Sequence, residues 1–221
     1  MCNEIFCTDL DGTLIKGDIT DGSKYFIGIT EYLYSIGQVN SLKYPTYSDY
    51  AKEYFIRLDL YNTSAFTMPY EVYEKSQDPY IAEYWESTIK NFFVDYTFNY
   101  LKNKLDTYKQ VWIVSASPLI YIKPIIKYLP VTKIVAVEPN KIITYGPGKV
   151  QRVQELTDMN LYGIGGYTAD SWNNDSNLFT TLRNYNPLAE LQWINHGQLK
   201  RTSDTYNNLR LYYINNIDAY Q

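Results

Sequence analysis

Two strand-like segments that lie far apart in the chain limit the possible folds more than any other pattern. EIFCTDL (4–10) and VWIVSASP (111–118) are short apolar runs that end in acidic or small polar residues, as buried strands do. Between them, residues 24–105 show helical spacing and no sustained strand-like alternation. From residue 111 onward, strand and helix signals alternate. We therefore expect an α/β protein with a parallel sheet covered by helices, which the first strand joins across a helical insertion.

The inserted stretch is rich in amphipathic segments. Residues 24–38 and 47–61 place apolar side chains three and four positions apart, which predicts helices. Asp78 and Pro79 are typical of an N-cap followed by the first helical residue. The helix predicted from there carries two largely aromatic rows that continue to Tyr96, and we interpret these rows as helix packing rather than a ligand cage.

The second half of the chain predicts the remaining elements of the sheet. VWIVSASP is interpreted as a strand that runs into a loop at its small polar residues. The further predicted elements are a helix at 119–129, a strand at 133–137, a helix at 149–158, a Gly-rich strand at 161–168, a helix at 176–184 and a last strand at 191–195.

The length of 221 residues suits a core domain with one large insertion, because a typical domain has about 150 residues. The chain contains 25 tyrosines. Because tyrosine combines an apolar ring with a polar hydroxyl group, this number favours a layer of packed side chains that is partly exposed to solvent.

Charge, hydropathy and cysteine content argue against several classes of protein. The net charge is −4 and no basic run occurs, so we expect no nucleic-acid partner. No segment approaches the ~20 apolar residues of a membrane helix, and the N-terminus lacks a basic-then-apolar signal, so we expect no membrane association. Cys2 and Cys7 fall on opposite faces of one predicted strand, which favours free thiols and a cytoplasmic setting. His196 is the single histidine, so a His-rich metal site is excluded.

Polar motifs follow the predicted strands at the ends where open parallel sheets bind ligands. These motifs are DLDGT (9–13), SASP (115–118), GK (148–149) and ADSWNND (169–175). Asp9 and Asp11 would share one face if strand geometry continued through them. Two such carboxylates repel each other unless a cation or a divided protonation state relieves the repulsion.

The other motifs supply the complementary groups. Asp170 and Asp175 add negative charge, and Lys149 and a divalent cation are the natural counter-charges. Oxygen-only ligands favour Mg²⁺ over zinc. Ser115 and Ser117 precede a predicted helix, where a hydroxyl beside unpaired backbone N–H groups suits an anion. Together these groups indicate phosphoryl transfer.

The motifs resemble those of the haloacid dehalogenase-like (HAD) superfamily. DLDGTL matches its first motif, VWIVSAS the second, Lys149 the third and ADSWNND the fourth. The SASP variant and the helical insertion after the first motif resemble the phosphoserine phosphatase-like branch, which has a helical C1 cap. The resemblance implies a Rossmann-like three-layer core over residues 1–16 and 107–221 and a helical cap over residues 17–106.

The resemblance also implies a role for each motif residue. Asp9 would be the nucleophile that forms an aspartyl-phosphate, and Asp11 would be the general acid and then the general base. The residues implied to bind the phosphoryl group are Thr13, Ser115, Ala116 and Lys149. The residues implied to hold Mg²⁺ are Asp9, Asp11 through its backbone carbonyl, Asp170 and Asp175.

Some of these assignments stay open. Ala169 stands where the family usually has glycine, and Asn174 competes with Asp175 as the second contact of the acidic loop. Ser115 could merely cap a helix. Lys149 could be a surface lysine, and Asp175 could be a solvated acid at a helix start.

Two residues of the insertion are candidates for substrate recognition. In phosphoserine phosphatase-like proteins, an acid at the offset of Asp18 contacts a substrate amine and a cap arginine contacts a carboxylate. Arg57 is the single arginine between the first and third motifs, at the edge of the 47–61 apolar stripe. The alternative is that both are ordinary surface charges.

The sequence thus predicts a Mg²⁺-dependent phosphatase that acts on a small phosphomonoester through an aspartyl-phosphate. Asp11 argues against a dehalogenase, because that activity lacks the second acid in this family. One alternative is a phosphotransferase that passes the phosphoryl group to an alcohol, and another is a catalytically idle binding protein with the same fold. No oligomeric state follows from the sequence.

Overall fold

The computed structural model describes residues 4–15, 22–60, 62–93, 97–194 and 211–213. The strands are Ile5–Thr8 (β1), Gln110–Pro118 (β2), Lys133–Val137 (β3), Ile164–Ala169 (β4), Glu190–Trp193 (β5) and Leu211–Tyr213 (β6). The α-helices are Gly22–Ser35 (α1), Tyr47–Asp59 (α2), Pro69–Val72 (α3), Asp78–Ser87 (α4), Thr97–Thr107 (α5), Leu119–Ile122 (α6), Pro147–Leu156 (α7) and Trp172–Tyr185 (α8). Short 3₁₀ helices lie at Thr63–Thr67, Lys75–Gln77, Ile89–Phe92, Lys123–Lys127 and Leu161–Gly163.

The described strands form one sheet in which every pairing is parallel. Their order is β3-β2-β1-β4-β5-β6, so the first strand of the chain lies in the middle. The order changes direction at β1, because β2 lies on one side of it and β4 on the other. Open parallel sheets bind ligands at such a switch point, beyond the carboxyl ends of the strands.

Alternate residues of the central strands face two separate cores. Phe6 and Ile113 pack in a core that contains residues of α1, α4, α5 and α6. Cys7 and Val114 pack in a second core with residues of α7 and α8. Helices therefore cover both faces of the sheet, and the predicted α/β fold class with a Rossmann-like parallel core is confirmed.

A third core lies within the segment between β1 and β2. Its buried members are Tyr44, Tyr50, Tyr54, Ala65, Met68 and Val72. Further contacts join this segment to α6, because the Trp85 indole donates to the Tyr121 carbonyl and Thr30 bonds the Tyr121 hydroxyl at 2.9 Å. The division of the chain into a core and a cap at the stated boundaries stays a prediction.

Most predicted elements appear close to their predicted positions. The strand predicted at 133–137 has those bounds, and α2, α7 and α8 overlap their predicted segments. No helix of the described residues combines the length and the apolar character that crossing a membrane requires.

Four predictions of local structure are wrong. The SASP residues, predicted as a loop, belong to strand β2. Val114 of β2 pairs with Val135 of β3, and Pro118 pairs with Val137, so β2 has more residues than β3 between these two pairs. The two serines therefore lie in a bulge of β2. The strand β5 is not the last one, because β6 pairs with it. Both features depend on pairing between strands that are distant in sequence, and the local periodicity of the sequence does not reveal such pairing.

The third error is the long helix predicted through Tyr96. The α-helix ends at Ser87, and Phe93 forms an isolated antiparallel bridge with Ile15. Asp78 is also not the N-cap, because the cap is Gln77 and the Asp78 carboxylate accepts a hydrogen bond from Tyr73. A tertiary backbone contact thus overrides the helical periodicity here.

We predict that Gly148→Ala destabilises the protein by about 1–3 kcal/mol, because a Cβ there would lie 1.9 Å from the Ile143 carbonyl oxygen. The backbone at the start of α7 would have to shift. Gly163→Ala is the matched control, since no atom lies within 4 Å of its added Cβ. Urea denaturation measures both variants, and equal midpoints would contradict the prediction.

Candidate active site

The first motif forms a tight turn at the carboxyl end of β1. Asp9 is buried directly after the strand, and its backbone N–H donates to the Thr168 carbonyl at 2.8 Å. The Leu10 carbonyl then accepts from the Leu14 N–H at 2.8 Å, which closes the turn. Gly12 lies in this turn at a φ of +72°, a conformation that side chains rarely adopt.

This turn lies directly against the carboxyl end of β4. A Cβ on Gly12 would lie 2.3 Å from Asp170 Oδ2, so a side chain at this position would displace the Asp170 carboxylate. The Thr13 hydroxyl donates to Asp170 Oδ1 at 3.1 Å. The first and fourth motifs are therefore in contact.

Lys149 connects the third motif to these carboxylates. It lies in the first turn of α7, and its side chain has no solvent exposure. Its Nζ donates to Asp9 Oδ1 at 2.9 Å and to Asp175 Oδ1 at 2.5 Å. The Gly146 N–H bonds the Asn174 carbonyl at 3.1 Å and ties the start of α7 to the start of α8.

Three buried carboxylates face this one ammonium group. Asp9, Asp170 and Asp175 each place an oxygen within 4.8 Å of the others. Asp175 Oδ2 is buried and has no hydrogen-bond partner among the described residues. The cluster offers only carboxylate oxygens as metal ligands, and it contains more acidic than basic groups. These residues therefore fit a hard divalent cation such as Mg²⁺.

Asp11 is held by the second motif. The Ser117 hydroxyl donates to Asp11 Oδ2 at 2.6 Å, and Ser115 Oγ accepts from the Ser117 backbone N–H at 3.0 Å. The other oxygen of Asp11, Oδ1, is buried and unpartnered within the part of the chain that the structure describes. Ala116 lies between the two serines in the bulge of β2.

Burial sets the protonation of this cluster. It raises the pKa of Asp9 to about 7, against the attraction of Lys149. It raises the pKa of Asp11 to about 7 as well, although the hydrogen bond from Ser117 opposes the rise. It also raises the pKa of Asp170 well above its usual range, with repulsion from Asp9 and Asp175 as further causes.

For the pKa of Lys149, the neighbouring charges have more effect than burial does. Burial by itself would lower its pKa, but the nearby carboxylates of Asp175 and Asp9 outweigh burial and raise it. The side chain therefore stays an ammonium ion inside the protein.

The structure thus brings together most of the predicted site residues: Asp9, Asp11, Thr13, Ser115, Ala116, Lys149, Asp170 and Asp175. Asp175 makes the contact with Lys149, whereas Asn174 is half-buried with an unpartnered Oδ1 among the described residues. Asp18 and His196 lie outside the described residues. The roles of these residues stay predictions.

Arg57 does not join the carboxylate cluster. Its guanidinium donates to Glu53 at 2.8 Å, to Glu71 at 3.0 Å and to the Tyr44 hydroxyl at 3.1 Å. All three partners belong to the segment between β1 and β2. The arginine that the sequence offered for a substrate carboxylate is engaged inside its own segment.

Three residues near the cluster make contacts that the sequence did not predict. Ser117 bonds Asp11, as described above. Tyr54 of α2 is buried, and burial together with the charge of Asp11 raises its pKa to about 12. Tyr167 of β4 donates its hydroxyl to Asp175. The sequence does contain one signal for Tyr167, which is a tyrosine in a predicted strand of otherwise small residues. A tyrosine that is buried in such a strand needs a hydrogen-bond partner for its hydroxyl group.

Comparisons with solved structures agree with this architecture. A protein of unknown function from Bordetella pertussis Tohama I matches with a TM-score of 0.69 at 14% identity, over 96% of this chain and 98% of that chain. A phosphoserine phosphohydrolase-like protein from Francisella tularensis subsp. tularensis SCHU S4 matches with a TM-score of 0.55 at 17% identity, over 98% of this chain and 97% of that chain. This chain shares the fold of these structures. The predicted resemblance to phosphoserine phosphatase-like proteins is confirmed at the level of the fold.

A third structure, cytosolic 5'-nucleotidase IIIB bound to cytidine, matches with a TM-score of 0.57 at 10% identity, over 96% of this chain and 80% of that chain. No family model and no curated protein matches this sequence. The fold is therefore recognised through its three-dimensional arrangement, and the resemblance to the HAD superfamily depends on four short motifs.

We predict that Arg57→Ala weakens the region that Arg57 braces and does not change substrate choice. The lost hydrogen bonds to Glu53 and Glu71 should lower stability by about 1–2 kcal/mol, because both acids are partly exposed. Lys52→Ala on the same helix is the control. Thermal unfolding and kinetics on a phosphorylated amino acid and on p-nitrophenyl phosphate measure the effects. A rise in KM for the amino-acid ester alone would show instead that Arg57 contacts substrate.

Proposed function

We propose that this protein is a Mg²⁺-dependent phosphatase that hydrolyses a small phosphomonoester through a phosphorylated Asp9. The observation that carries the proposal is the buried pairing of Asp9 with Lys149 beside Asp170 and Asp175, at the switch point of a HAD-like sheet. A nucleophile, a fixed ammonium group and acidic metal ligands there are the parts that phosphoryl transfer requires.

In the first proposed step, an oxygen of the Asp9 carboxylate attacks the phosphorus. The bond from phosphorus to the ester oxygen breaks as the new bond to Asp9 forms. Asp11 gives its proton to the departing oxygen, and the leaving group departs as an alcohol. A carboxyl group with a pKa of about 7 suits this role, because it is partly protonated at neutral pH.

In the second proposed step, water attacks the phosphorus of the aspartyl-phosphate. Asp11, now a carboxylate, takes a proton from that water, and the bond between Asp9 and phosphorus breaks to release inorganic phosphate. The Ser117 hydroxyl donates to Asp11 Oδ2 at 2.6 Å and would orient this carboxyl group in both steps. Lys149, Thr13, Ser115 and the backbone of Ala116 are the proposed contacts of the phosphoryl oxygens.

The proposed metal ligands are Asp9, the Asp11 carbonyl, Asp170 and Asp175. The unpartnered Oδ2 of Asp175 and the excess of buried carboxylates support a cation here. When bound, Mg²⁺ would offset negative charge on the phosphoryl oxygens and on the nucleophile.

The proposed substrate is small, and the segment between β1 and β2 is proposed to act as the cap that selects it. Residues 1–16 and 107–221 would then form the catalytic core, and residues 17–106 the cap. Cys7 is a buried free thiol, which supports the proposed cytoplasmic setting. The engagement of Arg57 with Glu53 and Glu71 removes the support for a substrate carboxylate at that residue.

We predict that Asp9→Asn abolishes turnover of p-nitrophenyl phosphate and prevents formation of a phosphorylated enzyme. Asp11→Asn should slow turnover by about 10²-fold or more, yet accumulate the phosphorylated enzyme, because p-nitrophenolate leaves with little protonation. Mass spectrometry of acid-quenched protein detects the adduct. Asp106→Asn, on the exposed face of α5, is the control and should leave the rate unchanged.

Wild-type turnover by Asp9→Asn would reject the proposed nucleophile. Activity absent from the wild-type protein across a panel of phosphomonoesters would favour a binding protein with this fold. Transfer of phosphate to added alcohols faster than to water would favour a phosphotransferase.

We also predict that EDTA abolishes activity and that Mg²⁺ restores it. Ca²⁺ should bind but support little turnover, because its looser and higher coordination misplaces the nucleophile. Mg²⁺ should raise the thermal unfolding midpoint of the wild-type protein, since it binds only the folded state, and Asp170→Asn should remove that rise. Full activity in EDTA would refute the metal assignment.

A further inference from the structure

Tyr167 makes contacts with two charged residues of the cluster and has no role in the proposed reaction. It lies in β4, is fully buried, and its ring packs against Phe179 with the ring centroids 5.0 Å apart. Its hydroxyl donates to Asp175 Oδ1 and accepts from Lys149 Nζ at 3.3 Å.

These contacts constrain the rotation of the Asp175 carboxylate. Among the described residues, Lys149 and Tyr167 are its side-chain donors, and both donate to the same oxygen, Oδ1. The other oxygen, Oδ2, stays buried without a hydrogen-bond partner. A carboxylate with two donors on one oxygen presents the second oxygen in a fixed direction.

The position of Tyr167 in the strand explains how it reaches beneath the site. Successive residues of β4 point to opposite faces of the sheet, and Tyr167 points to the face that α7 and α8 cover. Lys149 reaches the cluster from α7, and Asp175 reaches it from α8. The phenol therefore joins two helices at the point where their charged side chains meet.

We propose that Tyr167 is a positioning residue that holds Asp175 and Lys149 in the geometry required for binding Mg²⁺. This inference rests on the proposed function. Tyr167 supplies neither charge nor a proton to the reaction. It sets the direction of Asp175 Oδ2 and limits the positions that the Lys149 ammonium group can take. Groups that orient metal ligands in this way typically change metal affinity or activity by about 10–100-fold when they are removed.

The decisive variant is Tyr167→Phe, which removes the hydroxyl and keeps the ring against Phe179. We expect the half-saturating Mg²⁺ concentration to rise about tenfold or more and kcat to fall, while KM for p-nitrophenyl phosphate at saturating Mg²⁺ changes less than about twofold. Mg²⁺ binding is measured without substrate, by calorimetric titration. Tyr121→Phe is the matched control, because Tyr121 is equally buried and its hydroxyl bonds Thr30.

A double-mutant cycle separates positioning from a general loss of packing. If Tyr167 acts through Asp175, Tyr167→Phe should change Mg²⁺ affinity less than about twofold in an Asp175→Asn background. A full tenfold loss in that background would overturn the proposal. An equal loss in Tyr121→Phe, or a Tyr167→Phe protein that no longer folds, would also overturn it, because the hydroxyl would then be structural.

The two proposals fail in different ways. Retained turnover in Asp9→Asn rejects the phosphatase mechanism. If turnover needs Asp9 and Mg²⁺, but the Tyr167→Phe variant binds Mg²⁺ as tightly as the wild-type protein does, only the role of Tyr167 is rejected.

Discussion

A lysine without solvent exposure holds the candidate site together, and much of the surrounding backbone is arranged to place it. Lys149 donates to Asp9 at 2.9 Å and to Asp175 at 2.5 Å, both inside the protein. Moving such charges out of water costs several kcal/mol per ion, and only close pairing offsets that cost. The start of α7 is correspondingly tight, because a Cβ on Gly148 would lie 1.9 Å from the Ile143 carbonyl oxygen.

The same burial leaves the cluster with unbalanced charge. Three carboxylates face one ammonium group, and burial raises the pKa of Asp9 and of Asp11 to about 7. The excess of carboxylates favours a divalent cation among them, and burial raises the pKa of Asp11 so that this carboxyl group is partly protonated at neutral pH.

The segment between β1 and β2 has an internal organisation of its own. Its tyrosine-rich core is distinct from the two cores of the sheet, and Val39 packs against both it and the core that contains Phe6. Arg57 bonds Glu53 and Glu71 within the segment. Tyr54 of this core is buried, and burial together with the charge of Asp11 raises its pKa.

The sequence by itself determined the α/β class and the four polar motifs, because strand periodicity and short turn motifs are local properties of the chain. Only the tertiary structure decided that Arg57 bonds Glu53 and Glu71 and that Tyr167 bonds Asp175. It also decided that the helix after Asp78 stops at Ser87. These features depend on contacts between residues that are distant in sequence. The local pattern of a sequence does not determine which buried charge or hydroxyl group will bond to which partner.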